Sequence, residues 1–160
     1  MLKIQTFEVN PLHENCYVVS DDTKECVIID CGAFTESEQE AIITYINKNG
    51  LKPVHNIGTH GHLDHHFGDA AILSAFNLLP EVSDGDEVLM QHSKEAALQM
   101  LGMDLNIDLP AGKLRLTENN TISFGSHTLR IIRTPGHSRG SVSFYCAEEN
   151  VLFTGDTLFK

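Results

Sequence analysis

Val54-His55-Asn56-Ile57-Gly58-Thr59 runs without a break into His60-Gly61-His62-Leu63-Asp64-His65-His66. The first six residues read as a strand, and that strand delivers His60 at its end. Side chains alternate along an extended chain, so His60 and His62 project to one side. Two imidazoles from one short loop can hold one metal ion through nitrogen. Asp64 and His65 then point to a neighbouring position as the chain turns towards a helix. Gly58 and Gly61 let the backbone fold tightly around an ion. Histidine and carboxylate together suit zinc, iron or manganese better than calcium or magnesium.

The flanking sequence supplies a framework of strands and helices. Strands are expected near Leu2–Val9, Cys16–Ser20 and Cys26–Asp30, separated by turn signals at Asn10-Pro11 and Asp21-Asp22. Thr35 with Glu38 forms a capping box for a helix over Glu36–Lys48, striped by Ile42, Ile43 and Ile46 and stopped by Gly50. After the histidines a helix is expected over Asp69–Leu79, with Ile72, Leu73 and Phe76 inward and Pro80 ending it. Asp84 is expected to cap a third helix, with Val88, Leu89, Ala96 and Met100 on one face. The pattern breaks from Met103 to Lys113, which predicts a loop or crossover. Strands return at Thr121–Phe124, His127–Thr134, Ser141–Cys146 and Val151–Thr154. This order fits mixed sheets packed on each other with helices outside.

Further donors lie at two of those strand ends. Thr134-Pro135-Gly136-His137-Ser138 closes one strand, and its Pro-Gly turn can aim His137 back over the sheet edge. Phe153-Thr154-Gly155-Asp156-Thr157 closes another with a carboxylate. Each is weak alone; a sheet edge can gather them with the first cluster. Among the other histidines, His13, His92 and His127 read as surface or capping residues and His55 as structural. His66 faces away from the cluster, at the surface or behind a ligand. Arg139 reads as a solvent-facing loop residue, and Asp69 as a helix start or a group that orients a ligand histidine. Cys31 follows Asp30 at a strand end, a position from which it could face a pocket.

Composition sets outer bounds. A chain of 160 residues is about one domain, taken here as residues 1–160. Apolar residues at 41% and charged residues at 21% exclude a disordered, collagen-like or coiled-coil chain. Twenty-two acidic against 11 basic residues leave a net charge of −11, which repels phosphate backbones and argues against a nucleic-acid partner. The start lacks the apolar run of a signal peptide and nothing later is long enough to span a membrane. Four cysteines, Cys16, Cys26, Cys31 and Cys146, show no C-x-x-C pair and read as reduced thiols of a cytoplasmic protein.

THGHLDH (59–65), TPGHSRGS (134–141) and FTGDTLF (153–159) together resemble the successive metal motifs of the metallo-β-lactamase superfamily, most closely its glyoxalase II (hydroxyacylglutathione hydrolase)-like branch. NCYVV (15–19) and VIIDCG (27–32) are similar to that family's opening strands. The resemblance implies an αββα sandwich of two mixed β-sheets with outer helices and the site at one sheet edge. It implies that His60, His62 and His137 hold a first ion, that Asp64 and His65 hold a second, and that Asp156 bridges both. Zinc is the expected metal, as one or two ions, with iron or manganese as alternatives. Aspartate at the bridging position is similar to the thioester hydrolases, whereas the best-known zinc β-lactamases carry cysteine there.

The chain departs from that family in two respects. The family continues past the bridging aspartate and supplies one more histidine to the second ion, whereas this chain stops at Lys160. It also lacks the helical extension that binds glutathione. A shortened chain with a weaker second site, lacking the fold's C-terminal elements, is therefore expected. In the complete architecture a hydroxide between two ions about 3.5–4 Å apart attacks a carbonyl, and Asp64 orients it and passes a proton. A thiolate, with a free-thiol pKa near 8.5, leaves without prior protonation, which favours a small-molecule thioester such as an S-acylglutathione over a lactam. The alternatives are a mononuclear iron persulfide dioxygenase using His60, His137 and Asp156, and a metal-binding but inactive fragment. Apolar residues near the end, in Val151–Thr154 and at Leu158-Phe159, are expected to be exposed and to favour a homodimer.

Overall fold

Alternating side chains in the first thirty residues build three strands, and the computed structural model, which describes residues 1–102, 104, 105 and 109–159, pairs them antiparallel: β1 (Lys3–Val9), β2 (Glu14–Ser20) and β3 (Glu25–Ile29). Cys26 and Ile28 of β3 face one side and Val27 and Ile29 the other, and all four are buried. A strand apolar on both faces belongs in the middle of a layered fold.

Helix α1 (Glu36–Lys48) begins at the expected capping box: Thr35 Oγ1 accepts from the Glu38 amide at 3.2 Å, and Glu38 Oε2 accepts from the Thr35 amide at 3.0 Å. It carries the chain over the sheet so that β4 (Lys52–Ile57) runs parallel to β3. Helix α2 (Asp69–Phe76) repeats the crossover into β5 (Pro80–Val82), and β6 (Lys113–Leu114) joins beyond it, both parallel. The first sheet is thus six-stranded and mixed, in the order β1-β2-β3-β4-β5-β6. The second is antiparallel, in the order β10-β9-β8-β7, from β7 (Thr121–Phe124), β8 (His127–Arg133), β9 (Val142–Cys146) and β10 (Val151–Phe153).

Val19, Val27, Ile29 and Ile57 of the first sheet meet Ile122, Phe124, Leu129, Ile131 and Phe144 of the second. On the first sheet's other face Val18 and Ile28 pack under Ile42, Ile46 and Ile72 of the helices. Burying each such side chain contributes about 1.5–3 kcal/mol. The expected two-sheet sandwich is therefore what the chain forms. Its fourth layer has no helix among the described residues, and Ile132 and Leu152 of the second sheet are exposed.

Three expectations are corrected. The second helix ends at Phe76, not Leu79, because Asn77 turns left-handed (φ 56°) and caps it. Pro80 opens a strand instead of merely ending a helix; a strand's first residue can lack an N–H. The third helix is two, α3 (Glu87–Gln91) and α4 (Ser93–Leu101), broken at His92 and preceded by a 3-10 turn that Ser83, not Asp84, caps. Val88 is consequently exposed. The inward role expected of Met100, and the loop conformation of Met103 and residues 106–108, lie outside the described residues.

Candidate active site

Strands β3, β4 and β5 are parallel, so their carboxyl ends share one edge of the sheet. Asp30 follows β3, the histidine loop follows β4, and Ser83–Asp86 follow β5. The second sheet sends two segments to the same edge, Thr134–His137 after β8 and Thr154–Asp156 after β10. The sheets are tied there by the Val142 amide, which donates to the Thr59 carbonyl at 2.8 Å. Gly155 (φ 52°) lies so close that a Cβ would stand 2.3 Å from Thr59 Oγ1. Only glycine combines that backbone with that approach.

These segments bring together every sequence-predicted donor. His60, His62 and His137 each place a ring nitrogen within 4.8 Å of the others, and His62 Nδ1 is 2.9 Å from His137 Nε2. His60, His65 and Asp156 form an adjoining cluster. Asp156 faces both: Oδ2 is 3.2 Å from His137 Nε2 and 3.8 Å from His60 Nε2, while Oδ1 is 3.4 Å from His65 Nε2. Asp64 Oδ2 is likewise 3.4 Å from His65 Nε2, although Asp64 joins none of the three-residue clusters among the described residues. His66 turns away and is buried. Its Nδ1 pairs with Asp69 at 2.7 Å and its Nε2 meets the His60 carbonyl at 2.7 Å, so it braces the loop from behind.

Protonation divides the histidines. Burial first, then the charge on His65, holds His60 well below the usual histidine range; burial and His137 lower His62. Both are therefore neutral near pH 7. Burial alone would lower His65, but Asp30, Asp156 and Glu14 override it and raise the ring to about 11. Beside it, the Asp156 carboxyl is held low by His65. Burial and the charge of Asp30 push Glu14 up to about 10. His60 Nε2, both nitrogens of His65 and both oxygens of Glu14 are buried without an aligned hydrogen-bond partner. Buried polar atoms are rarely left so. The neutral, unpartnered His60 Nε2 facing the Asp156 carboxylate fits a divalent cation, and a cation there would take the place of the proton that His65 otherwise holds.

Three residues of this site escaped the sequence reading. Asp30 accepts from the Thr59 amide at 2.7 Å and the Thr59 hydroxyl at 2.8 Å, and its Oδ2 lies 3.2 Å from His65 Nδ1. Glu14 Oε1 is 3.7 Å from that same nitrogen. Asp86 reaches both histidine loops. A charged residue closing an all-apolar strand was the available signal for Asp30; Glu14 and Asp86 had none. Cys31 lines neither the groove beside Asp64 and Asp156 nor the pocket beside Gly61 and Met90. It is buried, and a Cβ on Gly68 would meet its sulfur at 2.6 Å. Likewise His127 is buried, not at the surface.

Residues 9–160 match the family model described as the metallo-beta-lactamase superfamily. The chain belongs to the metallo-beta-lactamase superfamily. It is 31% identical over 162 residues to hydroxyacylglutathione hydrolase GloC of Haemophilus influenzae, covering 99% of this chain and 73% of GloC, a likeness to the glyoxalase II-like branch. Two solved structures are similar throughout. BLEG-1, a B3 metallo-beta-lactamase, superposes with a TM-score of 0.83 at 33% identity, over 100% of this chain and 74% of its own. TTHA1623 in a di-iron-bound form gives 0.79 at 31%, over 98% and 73%. Membership implies a hydrolase-type enzyme that binds divalent metal, and the His/Asp clusters described above are groups that could bind it. Among the described residues no helix is long and apolar enough to cross a membrane.

Proposed function

We propose that this protein hydrolyses a small-molecule thioester such as an S-acylglutathione at a metal centre. In this reading His60, His62 and His137 hold one ion, Asp64 and His65 a second, and Asp156 reaches both. The observation that carries it is the two adjoining clusters, which share His60 and are both faced by Asp156, with buried imidazole nitrogens of His60 and His65 left unpartnered. A bound divalent ion supplies an activated water at neutral pH and a counter-charge for a carbonyl oxygen. The chain's own residues do the rest. Asp64 and Asp156 lie in the wall of a groove of about 850 Å³, which also contains Tyr17, Leu12 and Phe159 and can take the substrate's apolar part. Asp64 accepts the proton of the attacking water. A thiolate needs no proton to leave, so one acid-base group suffices. GloC, by its name, acts on the same class. Zinc is the proposed metal, with iron the alternative that TTHA1623 suggests. The four free, buried cysteines suit a reducing, cytoplasmic setting.

A second reading, β-lactam hydrolysis, is favoured by the likeness to BLEG-1. One experiment separates the two: zinc- and iron-loaded protein is assayed with S-lactoylglutathione, a chromogenic cephalosporin and, for oxygen uptake, glutathione persulfide. Thioester turnover alone supports the proposal. Cephalosporin turnover without thioesterase, or oxygen uptake without either, overturns it.

A further inference from the structure

Asp86 lies in the 3-10 turn after β5, buried at 2% exposure, and neither metal cluster includes it. Its Oδ2 accepts from the Gly61 amide at 2.9 Å and from the Ser138 hydroxyl at 2.7 Å. Its Oδ1 accepts from the Gly140 amide at 2.7 Å. Gly61 separates His60 from His62; Ser138 follows His137. One carboxylate therefore holds both loops that carry the three imidazoles. The packing admits little else, since a Cβ on Gly61 would meet Asp86 Cβ at 2.9 Å and one on Gly140 would meet Asp86 Cγ at 2.6 Å. Both loops approach the carboxylate through bare backbone.

We infer that Asp86 is a positioning residue: it sets the spacing between the His60–His62 loop and the His137 loop, so the three imidazoles converge on one ion. The inference rests on the proposed assignment of those histidines to a common ion. Three hydrogen bonds of 2.7–2.9 Å converge on this one buried side chain. They cross between loops that are far apart in sequence, and among the described residues no other side chain accepts from both. Loss of Asp86 leaves two backbone amides unpaired and the two loops free to separate. The histidines would remain, but their nitrogens would no longer share one centre.

The test is cobalt(II) binding by the whole chain, followed through its visible ligand-field bands and by chelator competition, with circular dichroism to check folding. The native chain and the variants Asp86→Asn and Ser138→Ala are compared. Asp86→Asn should weaken cobalt affinity at least about tenfold, the scale of groups that orient metal ligands, and shift the bands. Ser138→Ala removes one of the three bonds, so it should weaken affinity about threefold while folding normally. A merely structural residue would lower stability and leave the bands of the folded, loaded protein unchanged. Native affinity and bands in Asp86→Asn overturn the inference; if that variant does not fold, the same outcome in Ser138→Ala overturns it. Failure of the native chain to bind cobalt overturns the ligand assignment itself and the inference with it. Cobalt binding that is native in strength in both variants sinks the role of Asp86 alone.

Discussion

Asp30 takes a left-handed backbone (φ 54°), unusual outside glycine but tolerated by aspartate. That turn lets a residue at the end of a buried strand aim its carboxylate at Thr59 and His65 at once. Replacing it by alanine strips the buried Thr59 amide and hydroxyl of their acceptor and removes the carboxylate nearest His65 Nδ1. Breaking a buried charged pair costs about 3–5 kcal/mol. Asp30→Ala should therefore lower stability in urea titrations by that order; a loss below about 1 kcal/mol would mean that water replaces the carboxylate. Asp64 makes the contrasting case. Its side chain lies at the groove, so Asp64→Asn should leave the urea midpoint nearly unchanged and cut thioester turnover by 10² or more, the general-base range. A variant with native turnover would remove Asp64 from the chemistry. The metal-type donors were legible because histidine is scarce and H-x-H-x-D-H spacing is specific. Asp30, Glu14 and Asp86 were not, because a single carboxylate near a turn reads like any capping residue until its partners, distant in sequence, are known.

Elements show the same division. The capping box of α1 was readable because both of its halves lie within four residues. β5 and β6 span three and two residues, too short to carry a period, and only their parallel neighbours make them strands. The turn–turn tie at the far end from the metal motifs was equally invisible. Asp21, in the β2–β3 turn, accepts from the Ser126 amide at 2.8 Å and pairs with His127 Nδ1 at 2.9 Å, while His127 Nε2 meets Glu149 at 3.0 Å. It links one sheet to the other. Asp21 first raises the His127 pKa; burial opposes it and Glu149 adds to it. Burial would raise Asp21, but hydrogen bonds from Thr23, His127 and Ser126 lower it instead. A lowered carboxyl stabilises above its unfolded pKa of about 3.9, and a raised histidine stabilises fully below about 6.5. The tie is thus complete between about pH 4 and 6.5, is lost in acid as Asp21 protonates, and is lost in base as His127 deprotonates. The stability difference between the native chain and His127→Gln should be largest near pH 5.5 and shrink by pH 8.5. A difference constant across that range would show that His127 stays neutral.

At the scale of the whole molecule, alternation and the two-sided apolar strand β3 made the sandwich legible, but not which surfaces it leaves open. Ile4, Leu12, Leu152, Leu158 and Phe159 are all exposed, Leu158 at 69% and Phe159 at 72%, and all five contribute to the one groove that holds Asp64 and Asp156. β10 is an edge strand beside it. Large apolar side chains gathered at an unpaired edge mark an association surface. Covering each contributes about 1.5–3 kcal/mol, a sizeable share of a total stability of about 5–15 kcal/mol. The opposing force is a net charge of −11 on each copy. Salt screens that repulsion and leaves apolar burial intact. We therefore predict a homodimer that closes over this groove, with light-scattering mass rising from 17.7 kDa towards twice that value as protein concentration increases. The rise should come at lower concentration in higher salt. Leu158→Ser with Phe159→Ser should restore the monomer. A native chain that stays monomeric at high concentration in high salt would show that these side chains are tolerated in water, and weakening by salt would point to an ionic contact elsewhere.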